Sequence, residues 1–166
     1  MSMRLLVVLD KSTASRRTVA YVGRLVARQR GFQLCLAHVV PPLPMHLPEA
    51  GGGDEAPPGR RKPVRPTARE QRWRLAARRA AQQTFARAKA ALRKAGVPAK
   101  ALDLQFLGAM DGRHAADRIL DVARASRCRT VVVGRESLSW FREALRGDLP
   151  AALVRRGEGF TIWVVE

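Results

Sequence analysis

The chain has 166 residues and a formal net charge of +17 at neutral pH. A chain of this length fits one α/β domain that buries about 68–70% of its unfolded surface, so its fold needs no disulfide framework. The two cysteines, Cys35 and Cys128, form no CxxC pattern, which indicates a reduced compartment. The first apolar run is too short for a signal sequence, and no run approaches the ~18 residues of a membrane-spanning helix. We therefore expect a cytoplasmic protein without a membrane segment.

The first half of the chain begins with a strand, a helix and a second strand. Residues 3–9 are apolar apart from Arg4, as in a strand that helices cover on both faces. Serine and threonine residues within 12–15 offer an N-cap to a helix whose valines recur every three or four residues until Gly31 ends it. A second apolar strand follows at 32–40. This order predicts the opening of a parallel α/β sheet.

Residues 41–66 interrupt this pattern. The segment is rich in proline and glycine and has few apolar residues that could compensate for its ordering entropy. We interpret it as a mobile insertion within one domain that spans residues 1–166.

A long helix is predicted after the insertion. Thr67 and Glu70 form a capping box, and Gly96 with Pro98 ends the helix. Small side chains dominate its predicted inner stripe and would allow close approach to a sheet. The members of this stripe are Trp73, Ala77, Ala80, Thr84, Ala88, Ala91 and Ala95.

The remaining residues alternate in the same way. The predicted elements are a strand at 101–107, a helix capped by Asp111, a strand at 129–133, a glycine loop from Gly134 to Gly147, a short helix capped by Asp148, and a strand at 160–165. The connections are long enough for right-handed crossovers. The order predicts an α/β fold with a doubly wound, five-stranded parallel sheet and helices on both faces.

Three parts of the chain together resemble the universal stress protein family. They are the first strand with Asp10-Lys-Ser12, the glycine loop, and the final apolar strand. The resemblance implies the sheet order 3-2-1-4-5, and a non-catalytic stress-response or ligand-sensing domain that binds ATP or AMP at the carboxyl ends of the strands. It also implies a homodimer through strand 160–165, which would cover an apolar sheet edge.

The resemblance also implies particular ligand-binding residues. Asp10 and Val40 would hold the adenine base. A loop of the pattern G-2X-G-9X-G-S/T would hold the ribose and phosphates, which implicates Gly134, Arg135, Ser137, Gly147, Asp148 and Leu149. For Asp10, an N-cap or turn cap after the first strand is an equally good interpretation.

Two loop positions depart from the family pattern. Ser137 stands where a glycine would permit positive φ or close phosphate approach. Asp148 stands where a serine or threonine would donate a hydroxyl. A carboxylate about 4 Å from a phosphate oxygen costs roughly 1 kcal/mol in water and about 4 kcal/mol at an effective dielectric of 20. We therefore predict weakened or lost ATP binding.

The basic residues suggest a second hypothesis. Residues 60–100 contain 14 lysines and arginines and a single acid, Glu70. The helix at 67–95 would then present cations to a nucleic acid or another polyanion, without reading its sequence. The competing interpretation is a solvated helix that charge keeps soluble.

Patterns for catalysis and for metal binding are lacking. The three histidines are His38, His46 and His114, and no two are spaced as i, i+4. Ser15 and Ser137 have no base partner that the sequence can identify. We expect no catalytic residue and no metal site, and an enzyme of the wider adenine-nucleotide α/β group is the weakest hypothesis.

Overall fold

A computed structural model describes residues 3–27, 29–40, 67–109, 114–139 and 148–166. Its five strands form one parallel sheet in the order β3-β2-β1-β4-β5. The strands are β1 (Met3–Leu9), β2 (Phe32–Val40), β3 (Leu102–Ala109), β4 (Thr130–Gly134) and β5 (Thr161–Val165). The helices within the described ranges are α1 (Thr13–Val26), α2 (Ala68–Lys94), α3 (Ala115–Ala125) and α4 (Leu149–Arg156). The predicted fold class and strand order are confirmed.

Three predicted features lie outside the described residues. They are the insertion at 41–66, the cap at Asp111 and the loop position Gly147. None of the helices within the described ranges combines the length and apolar character needed to cross a membrane.

The sheet separates two apolar cores. One core lies between the sheet and helices α1 and α2, and the other lies between the sheet and helices α3 and α4. Residues 5–9 of β1 are almost fully buried because helices cover both faces of this central strand. Cys35 and Cys128 are buried free thiols.

Side-chain caps explain where α1 and α2 begin. The Ser12 side chain accepts a hydrogen bond from the backbone N–H of Ser15 and starts α1. Thr67 and Glu70 form the predicted capping box at the start of α2. These side chains satisfy backbone N–H groups that lack a partner inside the helix. The local sequence therefore indicated where both helices begin, within residues 12–15 for α1 and at Thr67 for α2.

The inner stripe of α2 differs from the predicted one in its second half. Ala91 and Ala95 are exposed, whereas Ala81, Phe85 and Leu92 are buried in the core with α1. The helix is rotated so that its largest apolar side chains face the sheet, because burying Phe and Leu gains more than burying Ala. Alanines at the edge of this contact are left beside α1.

Candidate functional site

The turn from β1 into α1 is organised around the Asp10 carboxylate. Asp10 is 8% exposed and accepts four hydrogen bonds. Ser12 donates two of them, from its backbone N–H and its hydroxyl, and the Ser15 hydroxyl donates a third at 2.6 Å. The fourth comes from the backbone N–H of Leu138 at 2.8 Å, which links the turn to the loop after β4. Three of the four hydrogen bonds to the Asp10 carboxylate therefore lie within the turn, as the turn-cap interpretation predicts.

Ser137 lies under this turn. Its side chain is buried, and its Oγ atom lies 3.4 Å from Ser15 Oγ. The hydroxyl of this implied phosphate-loop residue therefore faces the protein interior. The positive φ expected at this glycine-like position occurs one residue later, at Leu138, with φ 59°. The serine itself carries no positive-φ strain.

Gly134 permits the close packing of this loop on α1. A Cβ atom at this position would lie 2.5 Å from Ser137 Oγ and 2.8 Å from Thr18 Oγ1. Both distances are far below van der Waals contact, so no larger residue fits without movement. The glycine at the end of β4 is thus required by packing, whatever ligand the loop holds.

A cleft of about 730 Å³ opens beside this turn, at the carboxyl ends of β1 and β2. Asp10 and Val40 line it, as the resemblance implied for a base-binding site. Trp73 of α2 lines the same cleft, together with the small residues Ala76, Ala77 and Ala80. A cleft of this volume, with an apolar wall, an aromatic residue and a few polar groups, suits a small organic ligand.

Sequence reasoning placed Trp73 in the packed stripe of α2 and missed its position in the cleft. One signal was present. A crossover helix in a parallel α/β sheet starts near the carboxyl ends of the strands, so the first turns of α2 had to approach Val40. Trp73 lies in the second turn of that helix.

His38 forms part of the cleft wall but is itself 4% exposed. Its ring lies parallel to Phe106, with 6.4 Å between centroids, and edge-on to Phe85 at 5.8 Å. No described residue forms a hydrogen bond with either ring nitrogen. Burial lowers the pKa of His38, and the negative charge of Asp10 opposes this to a smaller extent. The imidazole is therefore held neutral.

The residues implied for phosphate binding are more dispersed. The Arg135 guanidinium lies 2.5 Å from the Glu166 carboxylate, and both side chains are largely exposed. Leu149 is buried in the core with α3, so its side chain is turned away from the surface. The predicted phosphate-loop cluster is therefore brought together only in part by the described residues.

Asp148 occupies the N-cap position of α4 but makes no capping hydrogen bond. The prediction that its side chain caps this helix is wrong. An N-cap side chain accepts from the second or third residue of the helix, and the second residue here is Pro150, which has no N–H. The exposed carboxylate is thus left at the helix terminus, the position that the family resemblance implied for phosphate binding.

The described residues contain no cluster of three or more histidine, cysteine, aspartate or glutamate side chains that could hold a metal ion. The sheet order defines a doubly wound α/β domain, and the candidate small-molecule cleft at the carboxyl ends of β1 and β2 lies beside its topological switch point, which falls between β1 and β4.

Comparison with known proteins identifies the family to which this α/β domain belongs. The sequence profile of the universal stress protein family matches residues 1–158. The chain belongs to the universal stress protein family. Among curated protein sequences, none matches this chain significantly.

Solved structures share the fold at low sequence identity. A universal stress protein in complex with cAMP is 17% identical, with a TM-score of 0.64 over 99% of this chain and 97% of that one. A family member from Burkholderia pseudomallei is 17% identical, with a TM-score of 0.65 over 98% and 94%. The universal stress protein from Archaeoglobus fulgidus in complex with dAMP is 18% identical, with a TM-score of 0.57 over 99% and 98%. At these identities the likeness concerns the fold.

Proposed function

We propose that this protein is a non-catalytic, ligand-sensing universal stress protein that binds an adenine nucleoside monophosphate and has weakened affinity for ATP. The observation that carries the proposal is the cleft shared by Asp10, Val40 and Trp73. Relatives of the same fold are described in complex with cAMP and dAMP, each of which carries one phosphate. A cytoplasmic location stays a prediction from the sequence.

The base end of the cleft has the chemistry that an adenine ring needs. Val40 offers an apolar contact at the end of β2, and Trp73 offers a flat aromatic surface from α2. Stacking of a base on an aromatic side chain contributes roughly 1–3 kcal/mol. Asp10 uses one oxygen for three of its hydrogen bonds and the other for the Leu138 N–H alone. The second oxygen therefore keeps a lone pair that can accept from the ligand.

The phosphate end is less favourable. At the start of α4, Asp148 has a carboxylate that makes no capping hydrogen bond, and the Ser137 hydroxyl faces the protein interior. A single phosphate near the ribose places less charge against Asp148 than a triphosphate does. For this reason we expect AMP to bind more tightly than ATP.

The decisive experiment is isothermal titration of the purified protein with AMP and with Mg-ATP. We expect saturable AMP binding, and about tenfold weaker binding in Trp73→Ala because the base loses its aromatic partner. Leu75→Ala is the matched control, since Leu75 is exposed on the same helix and does not line the cleft. No AMP binding by the wild type, together with no nucleotide in its acid extract, would show the proposal to be wrong.

A second variant tests the phosphate end. Asp148→Ser replaces the carboxylate with a hydroxyl, so we expect ATP affinity to rise about tenfold while AMP affinity changes less than threefold. Equal affinity of the wild type for ATP and AMP would favour a fully functional ATP site instead. Release of ADP from ATP by the pure protein would contradict the non-catalytic part of the proposal.

The proposal includes a homodimer formed through β5. This strand pairs only with β4 within the described sheet, and Val164 on it is 39% exposed. An unpaired apolar edge is a surface that a second copy of the chain can cover by pairing across a two-fold axis.

A second candidate function is nonspecific polyanion binding by α2. The outer surface of this helix carries exposed cations, and the described residues provide no ion pair for seven of them. They are Arg72, Arg74, Arg79, Arg87, Lys89, Arg93 and Lys94. A surface of this kind contacts phosphates and gives steeply salt-dependent binding.

Fluorescence anisotropy with a labelled DNA or RNA duplex tests this candidate. If the surface binds polyanions, affinity falls steeply with salt, and the triple change Arg72→Gln, Arg79→Gln and Arg93→Gln reduces the salt slope by about 3. Absence of binding at low salt would leave α2 as a solvated basic helix.

A further inference from the structure

A second cleft lies between α1 and α2, beside the cleft proposed to bind the base, and both clefts are lined by Asp10, Lys11 and Ser12. The second cleft has a volume of about 270 Å³. Apolar atoms form most of its wall, and four apolar residues contribute to it: Leu9 of β1, Val19 of α1, and Ala88 and Ala91 of α2. A cavity of about 150 Å³ with apolar walls accepts benzene, so this cleft has room for a larger apolar group, such as a ring with a short tail or a chain of several methylenes.

The cleft exists because α2 presents small side chains toward α1 at this level. Thr84, Ala88 and Ala91 line it, whereas the larger Phe85 and Leu92 of the same helix pack into the core beside the sheet. The α2 helix meets α1 more closely near its end, where a Cβ on Gly23 would lie 3.1 Å from the Ala95 methyl group. The gap is therefore local to the first turns of α1.

Cations line the mouth of this cleft. Lys11 comes from the β1–α1 turn, Arg16 from α1 and Arg87 from α2, and all three residues are exposed. Arg16 gives one N–H to the Thr13 hydroxyl at 3.1 Å, which leaves most of its five donors for other partners. Arg87 has no ion pair among the described residues.

One acid also lines the cleft. Asp10 is buried, and its carboxylate accepts the four hydrogen bonds of the turn. Three cations and one carboxylate line the cleft, so its net charge favours an anion.

We propose that the α1–α2 cleft binds a small amphipathic monoanion, such as a medium-chain carboxylate, with its apolar body on the bed formed by Leu9, Val19 and Ala88 and its carboxylate at Arg16 and Arg87. A planar guanidinium matches a carboxylate with two parallel hydrogen bonds, and two arginines from different helices define one end of the ligand. The nucleotide proposal uses the shared residue Asp10 for the base, and neither it nor the family pattern assigns a ligand to the part of this cleft between α1 and α2.

Isothermal titration with octanoate tests this site. We expect saturable binding of one octanoate per chain, and at least tenfold weaker binding in Ala91→Leu because the new side chain fills the cleft. Ala90→Leu is the matched control, since Ala90 is exposed on the same helix and does not line the cleft. Neither position is buried, so both variants should fold, and circular dichroism checks that they do.

The charge requirement has its own pair of variants. Arg87→Gln should weaken octanoate binding about threefold, the effect of a solvent-exposed ion pair. Arg93→Gln, an exposed cation away from the cleft, should leave binding unchanged. Octylammonium, with the same chain and the opposite charge, should not bind.

Three results would overturn the proposal. The first is no saturation with octanoate, and the second is equal affinity for octanoate and octylammonium. The third is loss of octanoate binding in Ala77→Trp, which fills the neighbouring base-binding cleft, with retention in Ala91→Leu. That last pattern would assign octanoate to the neighbouring cleft, whereas retention in Ala77→Trp with loss in Ala91→Leu supports the α1–α2 site.

Discussion

The carboxylate of Asp10 accepts a hydrogen bond from the backbone N–H of Leu138 across a sequence separation of 128 residues. The same carboxylate holds the start of α1 through Ser12 and Ser15. One buried side chain thus fixes the end of β1, the first turn of α1 and the loop after β4 relative to one another. The cleft that we propose binds the base is formed on the outside of this junction.

Replacing Asp10 should destabilise the fold as well as the site. Asp10→Ala leaves the buried N–H of Leu138 and the Ser15 hydroxyl without their acceptor, so we expect a loss of about 3 kcal/mol in the free energy of unfolding. Urea denaturation measures this loss. Asp121→Ala is the matched control, because Asp121 is 68% exposed and pairs with Arg124 within the described part of the chain. Its effect should stay within about 0.5 kcal/mol, and an equal effect of the two variants would contradict the structural role of Asp10.

Gly134→Ala should destabilise through a steric clash. The added methyl group would lie 2.5 Å from Ser137 Oγ and 2.8 Å from Thr18 Oγ1, so we expect a loss of about 1–3 kcal/mol. Ser137→Ala removes one of the two clashing atoms, and the double variant should recover about 1 kcal/mol relative to additivity. A double-mutant cycle in urea measures this coupling. Strict additivity would mean that the loop moves away from α1 instead of clashing with it.

His38 should make stability depend on pH. Because burial lowers its pKa in the folded protein, unfolding takes up a proton below the unfolded pKa of about 6.5. The stabilising effect is therefore complete above about pH 6.5 and is lost as the pH falls through that value toward the lower folded pKa. Between pH 7.5 and 5.5 the histidine should account for a decrease of about 1 kcal/mol.

The variant His38→Phe tests this assignment. It keeps an aromatic ring between Phe85 and Phe106 and removes the titrating group. Urea unfolding at the two pH values should show a shallower pH dependence than in the wild type. The slope is compared instead of the absolute stability, because a phenyl ring also changes the packing. An unchanged slope would assign the pH dependence to other groups.

Val164→Pro should separate dimerisation from folding. Thr161 donates its N–H to Arg129, and Val165 accepts from Arg135, so odd-numbered residues of β5 face β4. By alternation the Val164 N–H faces the outer edge, and its loss removes no hydrogen bond of the β4–β5 ladder. Analytical ultracentrifugation should show a dimer for the wild type and a folded monomer for the variant. A wild-type monomer at micromolar concentration would contradict the proposed dimer.

Local sequence signals determined much of the fold. Continuous apolar runs predicted strands buried on both faces, and the caps at Ser12 and Thr67 marked where α1 and α2 begin. The order of elements and the handedness of crossovers leave few ways to assemble such a sheet, and the resemblance to the universal stress protein family selected the observed order. These features depend on residues close together in the chain, which is why a single sequence contains them.

The site was predicted less completely. Asp10 and Val40 do line the cleft, as the resemblance implied. Three features were not predicted: Trp73 lines the cleft, the Ser137 hydroxyl faces inward, and the Asp148 carboxylate makes no capping hydrogen bond. Each of these depends on contacts between distant segments or on a neighbouring backbone. The sequence by itself determined the strand pattern and the place of the site at the carboxyl edge of the sheet. Only the tertiary structure decided which side chains meet there, because the rotation of α2 and the φ of the loop follow from packing across the sheet.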